Sequence, residues 1–371
     1  MVRLEAPEHP PSLPETVSMT TRRTLTSFAL APAALALALA GCSAAPAETS
    51  SDAAGDYLAC AMSGAGGWND KSFNEQVLAG LEQAEAELGV EVLPFESRTS
   101  DDFVPGLESL IDQGCDLVFS VGFDANEAVN AAAAANPGID FVTVDGFAID
   151  DTLPNLKPVA YDMAQSAFLG GYVAAAHSTT HTVATFGAVH NAAITDFMTG
   201  YTNGAEFWAQ ETGTPTTVLG WDPETQEGVF VGGFEDQIAA KNIAATQLDQ
   251  GADVLFPVAG PLFAAVGAAI ADTGTDAVFL GVDSDVAVTS PDYAPSVLVS
   301  VEKRMTDAVV AIIAEAAAGD FSSEAYLGDL DNGGTGLSAF HDFEESVSPE
   351  LRDRLAEIAA DIISGDIDPR A

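Results

Sequence analysis

The feature that most limits what this chain can fold into is a rhythm that runs through it twice. Short β-branched apolar runs alternate with amphipathic stretches of helical period, which is the pattern of a parallel sheet covered on both faces. The first series has strands over Tyr57–Met62, Val90–Phe95, Leu117–Val121 and Phe141–Val144. Between them lie helices over Phe73–Leu88, Val104–Asp112 and Asn126–Ala135. Phe73, Val77, Leu81, Ala84 and Leu88 share one helix face, and Gly89 ends that helix. The second series has strands over Val183–Val189, Thr216–Gly220, Val254–Val258 and Val278–Val282. Its helices fall over Ile194–Glu211, Asp236–Gln250 and Leu262–Asp272. The fold class expected is α/β: two doubly wound parallel-sheet lobes joined by a hinge. Two stretches are candidate crossings between the lobes: Leu156–Tyr161 with the helix Met163–His177, and Val297–Val301 with the helix Lys303–Ala318. Ligands of parallel sheets lie beyond the carboxyl ends of the strands, so the cleft between lobes is the expected site.

Residues 1–55 read differently. Met19-Thr-Thr-Arg-Arg-Thr is a short positive segment, and Phe28–Ala40 is an apolar stretch too short for a membrane span but suited to a signal peptide. It closes on Leu39-Ala40-Gly41-Cys42, which resembles the lipobox of bacterial lipoproteins, in which the cysteine thiol takes a diacylglycerol and becomes the new N-terminus. Residues 43–55 are small and polar, a flexible tether. The expected organisation is an upstream extension and signal peptide over 1–41 and a lipidated Cys42 with tether over 42–55. The first lobe takes 56–160 plus part of the C-terminal region, the second lobe 161–290, and a hinge crossing with C-terminal helices 291–371. The expected location is the extracytoplasmic face of the cell membrane. There Cys60 and Cys115 can oxidise to a bridge, but two buried free thiols are the expectation.

Twelve Lys and Arg stand against 56 Asp and Glu, a net charge of −44. Removing residues 1–41 takes Arg3, Arg22 and Arg23 together with Glu5, Glu8 and Glu15, so the charge is unchanged. A chain so acidic has no basic face with which to release phosphate counterions, which excludes nucleic acid as a partner. It also favours an uncharged ligand over a phosphorylated one. The histidines His177, His181, His190 and His341 show no zinc-like spacing, and no EF-hand loop surrounds Asp283 and Asp285. Neither a Gly-x-Ser-x-Gly elbow nor a Walker loop occurs, so no metal, cofactor or catalysis is expected.

After the first strand comes Ser63-Gly-Ala-Gly-Gly-Trp68-Asn-Asp-Lys-Ser-Phe-Asn74. Its glycines permit close backbone approach, and Asp70 or Ser72 can cap the helix that follows. The spacing Gly64-x-Gly66-Gly67 fails the dinucleotide fingerprint. Instead, Gly66 to Asn74 resembles the opening signature of the basic membrane protein family, lipid-anchored substrate-binding proteins of ABC importers. Further stretches carry the same resemblance in order along the chain: Phe141-Val-Thr-Val-Asp145, Ala167–Ala174, Gly233-Phe-Glu-Asp236, Gly251–Gly260, Gly281-Val-Asp-Ser-Asp285 and Ser300-Val-Glu-Lys303.

The resemblance implies a type I periplasmic-binding-protein-like fold, an ABC permease and ATPase as partners, and a nucleoside, a purine first, as ligand. It implies that Phe73 stacks on one face of the base, with Phe234 as candidate for the other, and that Asn74 and Asp145 bond the base edge. Asp283 would accept from the ribose hydroxyls, Lys303 would donate to them, and Gly260 would line the cleft. Two positions depart from the family pattern: Gly64 stands where purine binders usually carry an acidic residue, and Asn69 where they carry Asp. Pro261-Leu-Phe263 replaces a glycine-rich turn and narrows the cleft. Asp196, Phe197 and Tyr201 fall near the expected cleft, with Phe197 expected in the core. Alternative readings are a receptor for a sugar or other small polar metabolite, a ligand sensor for a membrane signalling protein, and a nucleoside hydrolase using Asp145 or Asp283.

Overall fold

The computed structural model describes residues 56–150 and 152–371; Cys42 and the signal segment lie outside the described residues. In chain order the first lobe opens with β1 (Leu58–Met62), α1 (Phe73–Leu88), β2 (Glu91–Phe95), α2 (Phe103–Asp112), β3 (Leu117–Val121), α3 (Asn126–Ala135), β4 (Asp140–Val144) and β5 (Leu156–Tyr161). The second lobe continues with α4 (Met163–His177), β6 (Thr182–Gly187), α5 (Ala192–Thr212), β7 (Thr217–Leu219), the hairpin β8 (Trp221–Asp222) and β9 (Glu227–Gly228), and α6 (Gln237–Asp249). It then runs through β10 (Val254–Val258), α7 (Phe263–Thr273), β11 (Val278–Asp283), α8 (Val286–Thr289) and β12 (Val297–Lys303). The chain finishes with α9 (Met305–Ala317), β13 (Tyr326–Gly328), β14 (Thr335–Leu337) and α10 (Pro349–Ser364).

One six-stranded sheet has the order β13-β5-β4-β3-β1-β2 and the other β14-β12-β11-β10-β6-β7. Every pairing in them is parallel except β12 with β14. The central strands β3, β10 and β11 are buried along their whole length, because helices cover both faces.

Among the described residues the chain passes between the sheets three times: from β5 into α4, from β12 through α9 to β13, and from β13 to β14. The third passage, together with the hairpin and the four-residue α8, has no counterpart among the expected elements, whereas α10 falls within the C-terminal helices expected over 291–371. The strands involved are two or three residues long, too short for periodicity to register. Within residues 291–371, β12 and β14 join the second sheet and β13 the first.

Helix α4 is buried on nearly every side and lies tightly against α5. A Cβ at Gly171 would meet the Tyr201 carbonyl oxygen at 1.9 Å, and one at Gly204 would meet that of Phe168 at 1.9 Å. These glycines therefore let the two backbones touch.

Cys60 and Cys115 form a disulfide, with Cα atoms 6.0 Å apart, which corrects the expectation of free thiols. The physical reason is topological. β1 sits between β2 and β3, with Cys60 in register with Val118, so the turn that leads into β3 brings Cys115 beside it.

Candidate functional site

The carboxyl ends of both sheets face one cavity of about 390 Å³. From the first lobe come the loop after β1, the first turn of α1 and the ends of β3 and β4. From the second come the start of α5, the Phe234 loop and the ends of β10, β11 and β12. Phe73, Asn74, Asp145, Phe234, Gly260, Asp283 and Lys303 all line it. So do Gly64, Asn69 and Pro261.

Phe73 opens α1 and is partly buried against the core. Its ring edge comes within 4.0 Å of where a Cβ on Gly122 would stand. Phe234 packs near Gly260, whose φ of +52° places a glycine where other residues would be strained. Lys303, at the end of β12, is only 3% exposed. Its Nζ donates to Asp145 Oδ2 at 2.5 Å and lies 5.2, 5.4 and 5.6 Å from the ring centroids of Phe73, Phe197 and Tyr161. The ammonium is therefore neutralised by one carboxylate and caged by aromatic faces, the two compensations that make a buried cation tolerable.

Asp283 ends β11 with φ +65°, and Asp145 follows β4 with φ +56°. Burial pushes the Asp283 carboxyl up to about 6, although the Lys303 charge and a hydrogen bond from Ser72 Oγ at 2.9 Å pull it down. The charges of Asp145 and Asp70 add to the rise.

Asn74 is more committed than expected. Its Oδ1 accepts from the Gly64 amide at 2.8 Å and its Nδ2 donates to Asp70 Oδ2 at 2.9 Å. One amide hydrogen is left for a ligand, and the side chain mainly shapes the glycine loop. A side chain at residue 64 would have to push against Asn74 Oδ1 and the Val121 carbonyl, 3.2 and 3.0 Å from its Cβ.

The α1 cap divides between its two candidates. Asp70 accepts from the amides of Ser72, Asn74 and Glu75, while the Ser72 hydroxyl turns to the other lobe. Burial pushes the Asp70 carboxyl up against those bonds.

Phe197 is 2% exposed, in the core as expected, yet it also lines the cavity. Asp196 is held instead by Arg370, Nε to Oδ1 at 2.7 Å, and Tyr201 is fully buried against Phe256 and does not line the cavity. Sequence reasoning missed Gly122-Phe-Asp124, Ile194, Glu235 and Gln237, all cavity-lining. The signal was available for the first three, since they follow directly on the strand Leu117–Val121. Burial pushes the Asp124 carboxyl up.

What this arrangement can do chemically is hold a small, flat, polar molecule between aromatic rings and charged hydrogen-bonding groups. No group of three or more His, Cys, Asp or Glu among the described residues is placed to hold a metal ion.

Residues 58–367 match the family described as ABC transporter substrate-binding protein PnrA-like. The ABC transporter nucleoside-binding protein BmpA of Lactococcus lactis subsp. cremoris is 29% identical, over 93% of this chain and 98% of that one. Basic membrane protein A of Borreliella burgdorferi is 28% identical over 61% of this chain, and the match spans 63% of that protein, less than two thirds of its length. The crystal structure of an ABC transporter solute-binding protein from Aeropyrum pernix K1 superposes with a TM-score of 0.72 at 24% identity, covering 84% of this chain and 92% of that one. The shared architecture is the type I periplasmic-binding-protein fold of two α/β lobes. With the family signature spread over both lobes and converging on one cleft, the chain belongs to the Bmp family of PnrA-like ABC transporter substrate-binding proteins.

Proposed function

We propose that this protein is a lipid-anchored receptor on the extracytoplasmic face of the membrane that captures a nucleoside, a purine first, and hands it to an ABC permease. The observation that carries the reading is the pairing, in one cavity, of two aromatic rings from opposite lobes, Phe73 and Phe234, with the polar cluster Lys303, Asp145 and Asp283. A nucleoside needs both: π-faces for the base and charge-assisted bonds for the ribose hydroxyls. The cavity volume falls in the usual range of about 300–1,000 Å³ for small-molecule sites.

The net charge of −44 and the carboxylates in the lining repel phosphate, which favours a nucleoside over a nucleotide. The nucleoside-binding relative from Lactococcus, matched almost end to end, supports the same ligand class. Anchoring through Cys42 and delivery to a permease and ATPase follow from the lipobox resemblance and the family.

Thermal unfolding with guanosine, adenosine, inosine and the pyrimidine nucleosides tests the reading. A nucleoside at ~100 times its dissociation constant stabilises the fold by ~2.7 kcal/mol. If every nucleoside leaves Tm unmoved while ribose or another sugar raises it, the protein is a receptor of a different class. Chromatography of the same mixtures separates a receptor, which returns the nucleoside intact, from a hydrolase, which releases free base.

A further inference from the structure

Asp283 sits in a conformation that needs outside support. Its φ is +65°, and the Ser284 amide donates back to the Val282 carbonyl at 2.8 Å, closing a three-residue turn with Asp283 at its centre. A three-residue turn centred on a positive φ is the rarer, strained form, and an L-residue remains in it only where its surroundings over-determine the backbone.

The second lobe supplies part of that support after the turn, where His341 Nε2 meets Asp285 Oδ2 at 2.7 Å and the Val286 amide donates to Ser300 Oγ at 3.0 Å. At the turn itself Asp283 keeps its place in the ladder opposite Glu302 of β12, and the side-chain support comes from the first lobe. Gln76 Nε2 donates to the Asp283 carbonyl at 2.7 Å, Ser72 Oγ donates to the Asp283 carboxylate at 2.9 Å, and Ser284 Oγ donates to the Lys71 carbonyl at 2.9 Å.

We propose that Ser72 and Gln76 are positioning residues: from the first turn of α1 they hold the strained turn of the opposite lobe and so set where the Asp283 carboxylate enters the cavity. The same helical turn carries Phe73, which ties the aromatic wall to the carboxylate it faces across the lobes. The segment is itself braced. Asp70 caps it, and Thr306 Oγ1, at the start of α9 just past the β12 crossing, donates to the Gln76 carbonyl at 2.9 Å. A Cβ on Gly80 would meet Val309 at 2.7 Å, so α1 and α9 lie in close contact one turn further on. The seam thus joins the start of α1 and the start of α9, just past the β12 crossing, to the Asp283 corner. Its effect on affinity rests on the nucleoside reading; its effect on the turn does not.

The test is amide hydrogen exchange at Ser284 in the full chain without added nucleoside, followed by calorimetric titration with guanosine. Gln76→Met keeps the side-chain length and the helix propensity and removes the donor to the Asp283 carbonyl without adding a charge. Loss of one net hydrogen bond should speed Ser284 exchange about fivefold and weaken nucleoside binding by a similar factor. Ser72→Ala, which removes the bond to the Asp283 carboxylate and leaves residue 284 untouched, should speed exchange in the same direction and serves if Gln76→Met does not fold. Wild-type exchange at Ser284 in the variant that folds overturns the proposal. If the wild-type chain binds no nucleoside, the functional reading fails, while the exchange measurement still decides whether the seam holds the turn.

Discussion

Lys303 and Asp145 meet at 2.5 Å across the cleft, one at the end of the last long strand of the second lobe and the other just beyond β4 of the first. Their side chains are only 4% and 12% exposed, so the pair is both an electrostatic link between lobes and the polar floor of the cavity. Removing one partner leaves a nearly buried charge without compensation. Lys303→Met should therefore cost about 3–5 kcal/mol in urea unfolding, whereas Lys303→Met combined with Asp145→Asn should recover most of that loss. Additive losses in the double variant would mean that the two residues do not act as a pair.

Asp283 gives the protein a defined pH response. In the unfolded chain its carboxyl ionises near its ordinary value of about 4, and in the folded protein near about 6. Between those values the folded state keeps a proton that the unfolded state has lost. The stability from this group is therefore complete below about pH 4 and is lost as pH rises through about 6, by up to about 3 kcal/mol. Asp283→Asn should flatten that part of the stability profile and make the protein more stable at pH 7, while weakening nucleoside binding. An unchanged profile between pH 4 and 6 would show that Asp283 titrates elsewhere.

The aromatic walls should separate binding from folding. Phe73→Ala and Phe234→Ala should each lose ~1–3 kcal/mol of nucleoside affinity, the usual contribution of one stacked ring. Both should remain folded by circular dichroism. Phe73→Ala also strips one face from the aromatic cage of Lys303, so it should be the more damaging of the two. Near-wild-type affinity in both variants would place the ligand elsewhere.

The Cys60–Cys115 bridge closes 55 residues of chain within the first lobe. Its loss, by reduction or as Cys60→Ser with Cys115→Ser, should cost about 2–4 kcal/mol of stability through the freed unfolded chain. Neither cysteine lines the cavity, so calorimetric affinity should not change. A large loss of affinity at unchanged stability would assign the bridge a role in the site.

The long elements were legible because burial on both faces writes continuous apolar runs into strands such as Val254–Val258, and a one-sided stripe into helices such as α1. The residues at their carboxyl ends could then be placed in a cleft. What periodicity could not carry was adjacency between distant segments. That β1 lies beside β3, and hence that Cys60 meets Cys115, is a fact of sheet order. The same holds for Ser72, which reads as a helix cap and instead reaches Asp283 in the other lobe, and for Asn74, whose side chain is spent on Gly64 and Asp70. Glu235 lies in the irregular segment before α6 and Gln237 opens that helix, where no strand end announces a site.

The central claim is that the cavity between the lobes takes a nucleoside, and calorimetric titration of the purified chain with guanosine, adenosine and inosine, beside ribose, tests it most directly. The account predicts saturable one-to-one binding of at least one purine nucleoside, weakened in Asp283→Ala, and no binding of ribose alone. Saturable binding of ribose or another sugar with no response to any nucleoside would contradict it.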